Sequence, residues 1–201
     1  MFKEFTDNLI EFLQENKSYW NDLDAAQGDG DLGSTLIRAG EALQEVSKQD
    51  LSVKEWFFLA GETIRKNAPS TLGVLIALAF TKSSKLISNE TSFRNVNWGE
   101  VQKEMINEIQ YRGNAKLGDK TILDALIPAV DAYNQSISEG KDNKNALQYA
   151  AYIAKKEANK TIQMVAQTGR SSWLGEKSKG NIDGGAMFCA QLYEFISRNI
   201  K

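Results

Sequence analysis

Apolar residues recur at helical spacing along almost the whole chain of 201 residues, and this periodicity limits the fold more than any other feature. Phe5, Leu9, Phe12 and Leu13 already follow it near the start. Strict alternation of apolar and polar residues, which is typical of a half-buried strand, is scarce. Proline, which interrupts helices, occurs only twice. The pattern therefore predicts an all-helical protein.

Eight helices are predicted, and local residues mark several of their ends. A capping box, Ser52-Val-Lys-Glu55, begins the third helix, which runs to about Lys66. The fourth begins near Ser70 and is apolar almost all round, so we expect it to be central and buried. After the first helix, the others are placed as follows: the second from about Gly33, the fifth near Trp98 to Tyr111, the sixth from near Asp119, the seventh over roughly Asn143 to Val165, and the eighth from about Gly184 to Arg198.

The segments between these helices are predicted to be loops, at Asn89 to Asn97 and at Ala166 to Ile182. Pro128 lies inside the sixth helix and predicts a kink or a local break there. No repeat, low-complexity tract or linker divides the chain. We therefore expect one domain over residues 1–201.

Composition excludes several classes of function. The net charge is −2 and acidic and basic residues are interleaved, so no basic surface points to nucleic acid or to an anionic membrane. No run approaches the roughly 20 apolar residues that a membrane span needs. The acidic, amphipathic start resembles neither a signal peptide nor a transit peptide. We expect a cytoplasmic protein without nucleic-acid or membrane partners.

The chain contains no histidine and one cysteine, Cys189. A Ser-His-Asp triad, an imidazole metal site and a phosphohistidine on this chain are thereby excluded. A single cysteine also excludes an intrachain disulfide and a cysteine-based zinc site. Cys189 lies in an apolar helical pattern with Met187 and Phe188, so we expect it in the core. Any chemistry must come from carboxylates, Lys or Arg, hydroxyls, backbone N–H groups or a bound metal.

Three carboxylates, those of Asp24, Asp29 and Asp31, lie within eight residues. The intervening glycines let the chain fold back, so that all three can face one point. A hard divalent cation would relieve their repulsion, and oxygen ligands suit Mg²⁺ or Ca²⁺. The helix that follows could hold phosphates through the N–H groups and hydroxyls of Gly33-Ser34-Thr35. The alternative is a solvated turn that ends in an Asp or Ser N-cap.

The same stretch matches G-x-G-x-x-G at Gly28, Gly30 and Gly33. A dinucleotide site of that type requires a preceding strand. The residues before it, 18–27, continue from a helix instead. The dinucleotide interpretation is therefore rejected.

Three other segments are candidates for binding phosphate. Ser70 and Thr71 could contact phosphate or only cap the fourth helix, and Asp119 could simply cap the sixth. Arg170, in a loop rich in Gly and Ser, could donate two hydrogen bonds to a phosphate or be a solvated charge. Trp173 could stack on a base, although such a residue is more often a loop anchor in the core.

Taken together, the segments LDAAQGDGDLGSTL, RGNAKLGDKTILDALIPA and TGRSSWLGEKSKGNIDGGA resemble the L subunit of dihydroxyacetone kinase and the homologous nucleotide-binding domain of single-chain kinases. The resemblance covers almost the whole chain in order. It implies a barrel of eight antiparallel amphipathic helices with a nucleotide site at one rim. It implies that Asp24, Asp29 and Asp31 hold two Mg²⁺ ions that bridge the phosphates of ADP or ATP. The nucleotide contacts that it implies are Leu32, Gly33, Ser34, Thr35, Ser70, Thr71, Gly113, Ile122, Arg170, Asp183, Gly184 and Gly185.

In that family, the partner K subunit holds dihydroxyacetone on a histidine, so the resemblance implies no catalytic residue on this chain beyond the metal–nucleotide site. In one mode ADP stays bound and is rephosphorylated by a phosphohistidine protein of the sugar phosphotransferase system, whereas in the other ATP exchanges. A length of 201 residues favours the form of the kinase in which separate subunits bind the nucleotide and the sugar. The sequence departs from the family at Leu32, where many L subunits have histidine, and at Ala68–Gly73, which replaces a glycine-rich segment.

Other functions remain open at this point. The chain could be an ATP-dependent kinase subunit for another small sugar, a non-catalytic ADP–Mg²⁺ sensor or coactivator, or a helical scaffold with a structural metal site. Fatty acid kinases share the Asp-Gly-Asp-x-Gly segment but not Gly-Arg-x-Ser-x-Leu-Gly-Glu, so we rank them lower.

Overall fold

The computed structural model describes residues 2–89 and 91–200. Within these ranges the chain forms eight α-helices and four short 3-10 helices and contains no strand, which confirms the all-helical class. The arrangement as a barrel stays a prediction. The 3-10 helices are Ser84–Leu86, Phe93–Asn95, Thr161–Gln163 and Arg170–Ser178, the last of which is kinked at Gly175, where φ is +52°. The α-helices are α1 (Phe2–Ala25), α2 (Leu32–Val46), α3 (Val53–Asn67), α4 (Thr71–Ser83), α5 (Trp98–Gly113), α6 (Leu123–Ser138), α7 (Asn143–Lys160) and α8 (Gly184–Asn199).

The chain divides into two compact units that alternate along the sequence. The first contains the residues up to Lys17 together with Gly33–Gly113, and the second contains Ser18–Leu32 and the residues from Asn114 onward. Helix α1 therefore contributes to both units, and so does α2 through Leu32. The expectation of one domain over residues 1–201 stays a prediction.

The first unit is built on α3, which packs against α4, while α4 packs against α5. The capping box at the start of α3 forms as predicted: Glu55 N–H donates to Ser52 Oγ at 3.3 Å, and Ser52 N–H donates to Glu55 Oε2 at 2.9 Å. Trp56 is 5% exposed, stacks on Phe2 with ring centroids 4.4 Å apart, and donates from Nε1 to Ser47 Oγ at 2.8 Å. The apolar face of α3 is thus packed in a core rich in aromatic side chains.

Helix α4 is less buried than predicted. Ala77 and Ala79 are buried, but Leu75 and Phe80 are half-buried and Val74 is 37% exposed. The expectation of a buried helix is therefore wrong, whereas the central position of α4 stays a prediction. The physical reason is that small residues, Gly73, Ala77, Ala79 and Ser83, take the buried positions of α4, while its larger apolar side chains keep part of their surface accessible.

The second unit is built on α6, α7 and α8, which pack against one another. Trp20 is fully buried and donates from Nε1 to Gln191 Oε1 of α8 at 2.6 Å. Cys189 is also buried in α8, as expected, and burial raises the pKa of its thiol. Helix α6 continues through Pro128, so a local break there is wrong, and a kink stays a prediction.

Two predicted boundaries and both predicted loops differ from the structure. Helix α6 begins at Leu123 rather than near Asp119, whose carboxylate accepts a hydrogen bond from Lys116 N–H instead of capping the helix. Helix α7 ends at Lys160, and residues 161–163 continue as a 3-10 turn. Both predicted loops contain a short helix, at Phe93–Asn95 and at Arg170–Ser178, while residue 90 of the first loop lies outside the described residues. Among the described helices, none has the length and hydropathy needed to cross a membrane.

Candidate metal and nucleotide site

The turn between α1 and α2 carries the three aspartates. Gln27 N–H and Gly28 N–H both donate to the backbone oxygen of Asp24, at 2.9 and 2.5 Å, which turns the chain back at the end of α1. Asp31 N–H then donates to Asp24 Oδ2 at 3.0 Å. Gly30 has φ +72°, a left-handed conformation that favours glycine. A Cβ at Gly28 would lie 2.8 Å from Asp24 Oδ1, so a side chain there would displace the Asp24 carboxylate from its position in the cluster.

The turn brings the three carboxylates together. One oxygen from each of Asp24, Asp29 and Asp31 lies within 4.8 Å of the others. Asp24 and Asp31 are half-buried, whereas Asp29 is exposed. Carboxylates this close repel one another, and an all-oxygen donor set fits a hard divalent cation such as Mg²⁺. The donor set is therefore of the kind that the metal-site prediction requires.

Arg170 of the second unit contacts this cluster. It follows Gly169, which has φ +69°, and begins the 3-10 helix Arg170–Ser178. Its guanidinium forms an ion pair with the carboxylate of Asp29. Both side chains keep much of their surface in solvent, at 63% for Arg170 and 46% for Asp29, so the pair adds little stability. The contact shows that a cationic fork lies beside the three carboxylates.

The start of α8 lies against the aspartate turn. Gln27 Nε2 donates to the backbone oxygen of Ile182 at 2.8 Å, which links the turn to the residues before α8. A Cβ at Gly184 would lie 2.8 Å from Leu32 Cδ2, so the absence of a side chain permits this packing. The structure thus places the first residues of α8 next to Leu32, the first residue of α2.

Asp183 caps α8 in a strongly acidic environment. Its Oδ1 accepts a hydrogen bond from Ala186 N–H at 2.7 Å. Burial is the largest influence on this carboxyl and raises its pKa to about 6, while Asp124 and Asp24 add repulsion in the same direction. The bond from Ala186 and the charge of Lys120 act the other way. The second unit therefore concentrates negative charge around the aspartate turn. A bound cation would reduce that repulsion.

Of the remaining predicted contacts in the second unit, Ile122 lies just before α6. A Cβ at Gly185 would lie 3.3 Å from Ile122 Cβ, so these two residues pack closely. Trp173 is 92% exposed, so the interpretation of this residue as a core anchor is wrong. The 3-10 helix presents its indole to solvent, and stacking on a base stays a prediction.

The other predicted contacts belong to the first unit. Ser70 caps α4, since its Oγ accepts a hydrogen bond from Gly73 N–H at 3.0 Å, and Thr71 is the exposed first residue of that helix. Thr35 is buried, and its Oγ1 accepts a hydrogen bond from Arg38 Nη2 at 3.2 Å. The phosphate contacts of these residues stay predictions. In the same unit, Gly33 and Ser34 lie in the first turn of α2, and Gly113 is the last residue of α5.

Sequence reasoning missed three buried polar residues near the site: Gln27, Lys120 and Asp124. Asp124 accepts hydrogen bonds from Gly118 N–H at 2.6 Å and from Thr121 N–H at 2.7 Å. The spacing Thr121-x-x-Asp124 resembles a capping box and was a usable signal for both Asp124 and the start of α6. Gln27 and Lys120 had no such signal, because their partners are far away along the chain.

A comparison with known protein families shows to which family the chain belongs. The family model of the DAK2 domain matches residues 26–198, which is most of the chain. This chain belongs to the DAK2 domain family. The matched residues include Asp29, Asp31, Arg170 and Asp183, and the match begins just after Asp24.

Relatives with DAK2-type sequences differ in total length. The chain is 32% identical to the PEP-dependent dihydroxyacetone kinase 1, ADP-binding subunit DhaL, of Listeria innocua, over 91% of this chain and 87% of that one. It is 29% identical to a probable dihydroxyacetone kinase of Dictyostelium discoideum, over 87% of this chain but only 29% of that protein. The chain therefore spans nearly all of the first relative and less than a third of the second.

Solved structures give the same fold. The crystal structure of the dihydroxyacetone kinase of C. freundii in its native form matches with a TM-score of 0.77 and 25% identity, over 98% of this chain and 34% of that one. A structure of that kinase in complex with AMP-PNP and Mg²⁺ matches with a TM-score of 0.75 and 24% identity, over 98% of this chain and 33% of that one. This DAK2 domain thus has the helical fold of a segment of a longer kinase.

Proposed function

We propose that this chain is the nucleotide-binding L subunit of a dihydroxyacetone kinase. It would present the terminal phosphate of a Mg²⁺-bound nucleotide, either ATP or ADP that has been rephosphorylated in place, to dihydroxyacetone held on a partner K subunit, and ADP would remain after transfer. The observation that carries the proposal is the convergence of Asp24, Asp29 and Asp31, with ligand oxygens within 4.8 Å of one another and with Arg170 paired to Asp29. Oxygen ligands beside a guanidinium suit a metal-bound phosphate.

The relatives support this assignment. The relative that matches this chain over most of both lengths is named as an ADP-binding subunit. The longer relatives are named as dihydroxyacetone kinases, and this chain spans about a third or less of them. This difference in length agrees with a partner subunit that supplies the remaining part of the kinase, including the site for the sugar.

Each residue of the site has a role that follows from its chemistry. The three aspartates would hold Mg²⁺, which would polarise the nucleotide phosphates and offset part of their charge. Asp24 also accepts a hydrogen bond from Asp31 N–H, which keeps two of the carboxylates in place. Arg170 lies beside the cluster and can neutralise charge on the phosphates during transfer. Phosphoryl transfer depends mainly on positioning and charge neutralisation, so no general base is required from this chain.

The phosphoryl donor in this proposal is a phosphohistidine protein of the phosphotransferase system, which rephosphorylates ADP held by this chain. The Listeria relative is named as PEP-dependent, which agrees with such a donor. Since the chain contains no histidine, the phosphohistidine has to lie on another protein. In the alternative ATP-dependent mode, the nucleotide would exchange freely.

Isothermal titration of ADP in the presence of Mg²⁺ tests the proposal, using protein freed of bound nucleotide by unfolding and refolding. We expect binding by the wild type and a loss of about 10-fold to 100-fold in affinity for Asp29→Ala, which removes one carboxylate of the cluster. Asp22→Ala is the matched control, because Asp22 is an exposed aspartate near the end of α1, just before the aspartate turn, and lies outside the cluster. No binding by the wild type, or equal binding by the two variants, would refute the proposed site.

The nucleotide released when the purified protein is denatured separates the two modes. Retained ADP supports rephosphorylation in place, whereas an empty site that takes up ATP supports exchange. Phosphate transfer to dihydroxyacetone in the presence of the K subunit then distinguishes a kinase subunit from a sensor of ADP and Mg²⁺. Metal binding without nucleotide binding would leave only a structural metal site.

A further inference from the structure

A buried lysine lies in the second unit and takes no part in the proposed chemistry. Lys120 is 1% exposed, and burial lowers the pKa of its ammonium group. Burying such a charge is costly unless its donors are satisfied. Lys120 Nζ donates to three backbone oxygens, those of Met164 at 3.3 Å, Asn181 at 2.8 Å and Ser178. An ammonium has three N–H donors, so the three carbonyl groups match its full capacity.

The three carbonyl groups lie on both sides of Arg170 in the sequence. Residues 164–181, here called the Arg170 segment, enter at Met164 and leave at Asn181, and the 3-10 helix Arg170–Ser178 lies between. Lys120 Nζ therefore joins the entrance of the segment to its exit. A bond from Ala166 N–H to Ser178 Oγ, 2.9 Å long, closes the same loop from within.

The backbone at Lys120 is itself constrained. Its φ is +61°, which a residue with a side chain rarely adopts. The neighbouring Asp119 accepts a hydrogen bond at its backbone oxygen from Gln167 N–H at 3.0 Å, so the turn before α6 and the Arg170 segment are joined at two adjacent residues. An unfavourable conformation persists only where the surroundings over-determine it. Here the surroundings are the segment that carries Arg170.

We propose that Lys120 is a positioning residue: by joining the two ends of the Arg170 segment, it holds Arg170 at the aspartate cluster. Arg170 is on the surface and pairs with the exposed Asp29, so this pair cannot by itself hold an 18-residue segment in place. The buried ammonium with its three carbonyl partners can. The effect of Lys120 on nucleotide rests on the proposed function, whereas its effect on the segment does not.

Hydrogen exchange of backbone amides tests the structural part. Lys120→Met keeps the length of the side chain but leaves three carbonyl groups without their donor. We expect faster exchange at the amides of residues 166–180 in this variant, with exchange in α7 unchanged. Lys177→Met is the matched control, because Lys177 is an exposed lysine inside the same segment, and it should leave exchange as in the wild type. Equal acceleration throughout the second unit, or no acceleration, would overturn the proposal.

Ser178→Ala provides a second variant, which tests the closed segment on which the proposal depends if Lys120→Met does not fold. Ser178 Oγ accepts the bond from Ala166 N–H and donates to the backbone oxygen of Gly175 at 2.6 Å. Loss of this hydroxyl should speed amide exchange in the same residues without removing a charge. Unchanged exchange in Ser178→Ala would count against the closed segment.

A double-mutant cycle tests whether Lys120 acts through Arg170. The quantity measured is the affinity for ADP with Mg²⁺ of the wild type, Lys120→Met, Arg170→Ala and the double variant. We expect Lys120→Met to weaken binding by about 10-fold to 100-fold. In the double variant, the two losses should not multiply, because Lys120 has no further effect once Arg170 is gone. Losses that multiply would refute action through Arg170. If the wild type does not bind ADP, the proposed function fails while the exchange result still decides whether Lys120 holds the segment.

Discussion

The start of α3 and the Arg170 segment both satisfy backbone groups that lack helical partners, but they do so over very different distances. At α3, Ser52 and Glu55 pair side chain with backbone across three residues. In the Arg170 segment, the carbonyl groups of Met164 and Asn181 are satisfied by a lysine 44 and 61 residues away. The first arrangement forms as soon as the helix does. The second exists only after the second unit has assembled, so the position of Arg170 depends on tertiary structure.

The largest effect on stability is expected at Trp56. Replacing this residue measures how much α3 depends on packing in the core rather than on its local cap. Trp56→Ala should destabilise the protein by about 3–5 kcal/mol, because it removes a buried indole that stacks on Phe2 and bonds to Ser47. Urea unfolding followed by circular dichroism measures this change. Trp56→Phe keeps an aromatic ring and loses the bond to Ser47, so its cost should be smaller. A loss below about 1 kcal/mol for Trp56→Ala would mean that α3 does not rely on this contact.

This contrast explains which parts of the fold could be predicted. The capping box at Ser52, the N-cap at Ser70 and the periodicity of α8 are local signals, and each helix began where they indicated. The exposure of α4 was not predictable, since the sequence does not tell which face its neighbours cover. The start of α6 was misplaced because Asp119 resembled an N-cap, whereas its carboxylate closes a turn to Lys116.

The residues of the candidate site can likewise be divided into those that the sequence predicts and those that it does not. The clustering of Asp24, Asp29 and Asp31 follows from glycines between them, so a short stretch of sequence was enough to suggest it. The roles of Gln27 and Lys120 were not predictable, because each donates to backbone oxygens that are brought near only by folding. Side-chain contacts with a distant backbone leave no pattern in the sequence.

The next largest effect on stability concerns Asp183, two residues after the Arg170 segment, where folding brings several negative charges together. Its pKa is about 6 in the folded protein, against about 3.8 for an aspartate in solvent, so the folded state binds the proton more tightly than the unfolded chain. Stability is therefore lost as the pH rises from about 4 to 6 and stays lower above that range. Asp183→Asn keeps a capping oxygen and removes the charge. It should raise the free energy of unfolding by on the order of 1–3 kcal/mol at pH 7, and by less at pH 4.

Unfolding in EDTA at several pH values between 4 and 8 measures this difference for Asp183. The residue retains part of its surface, so water reduces the cost of its charge and favours the lower part of that range. Asp142→Asn, at the exposed N-cap of α7, measures how the same substitution changes stability outside the acidic cluster. A gain for Asp183→Asn that is equal at pH 4 and pH 8 would show that charge is not its cause.

The smallest effect is expected at Ser52, where the arrangement is local. Ser52→Ala removes the oxygen that accepts the bond from Glu55 N–H and should cost about 1 kcal/mol. Ser92→Ala is the control, because Ser92 precedes the short helix Phe93–Asn95 without a side-chain cap. In amide exchange, the change at Ser52 should stay within the first turn of α3, since both partners lie there. If it instead loosened the whole first unit, a local cap would be coupled to the fold as strongly as Lys120 is to the Arg170 segment, and the distinction between the two regions would fail.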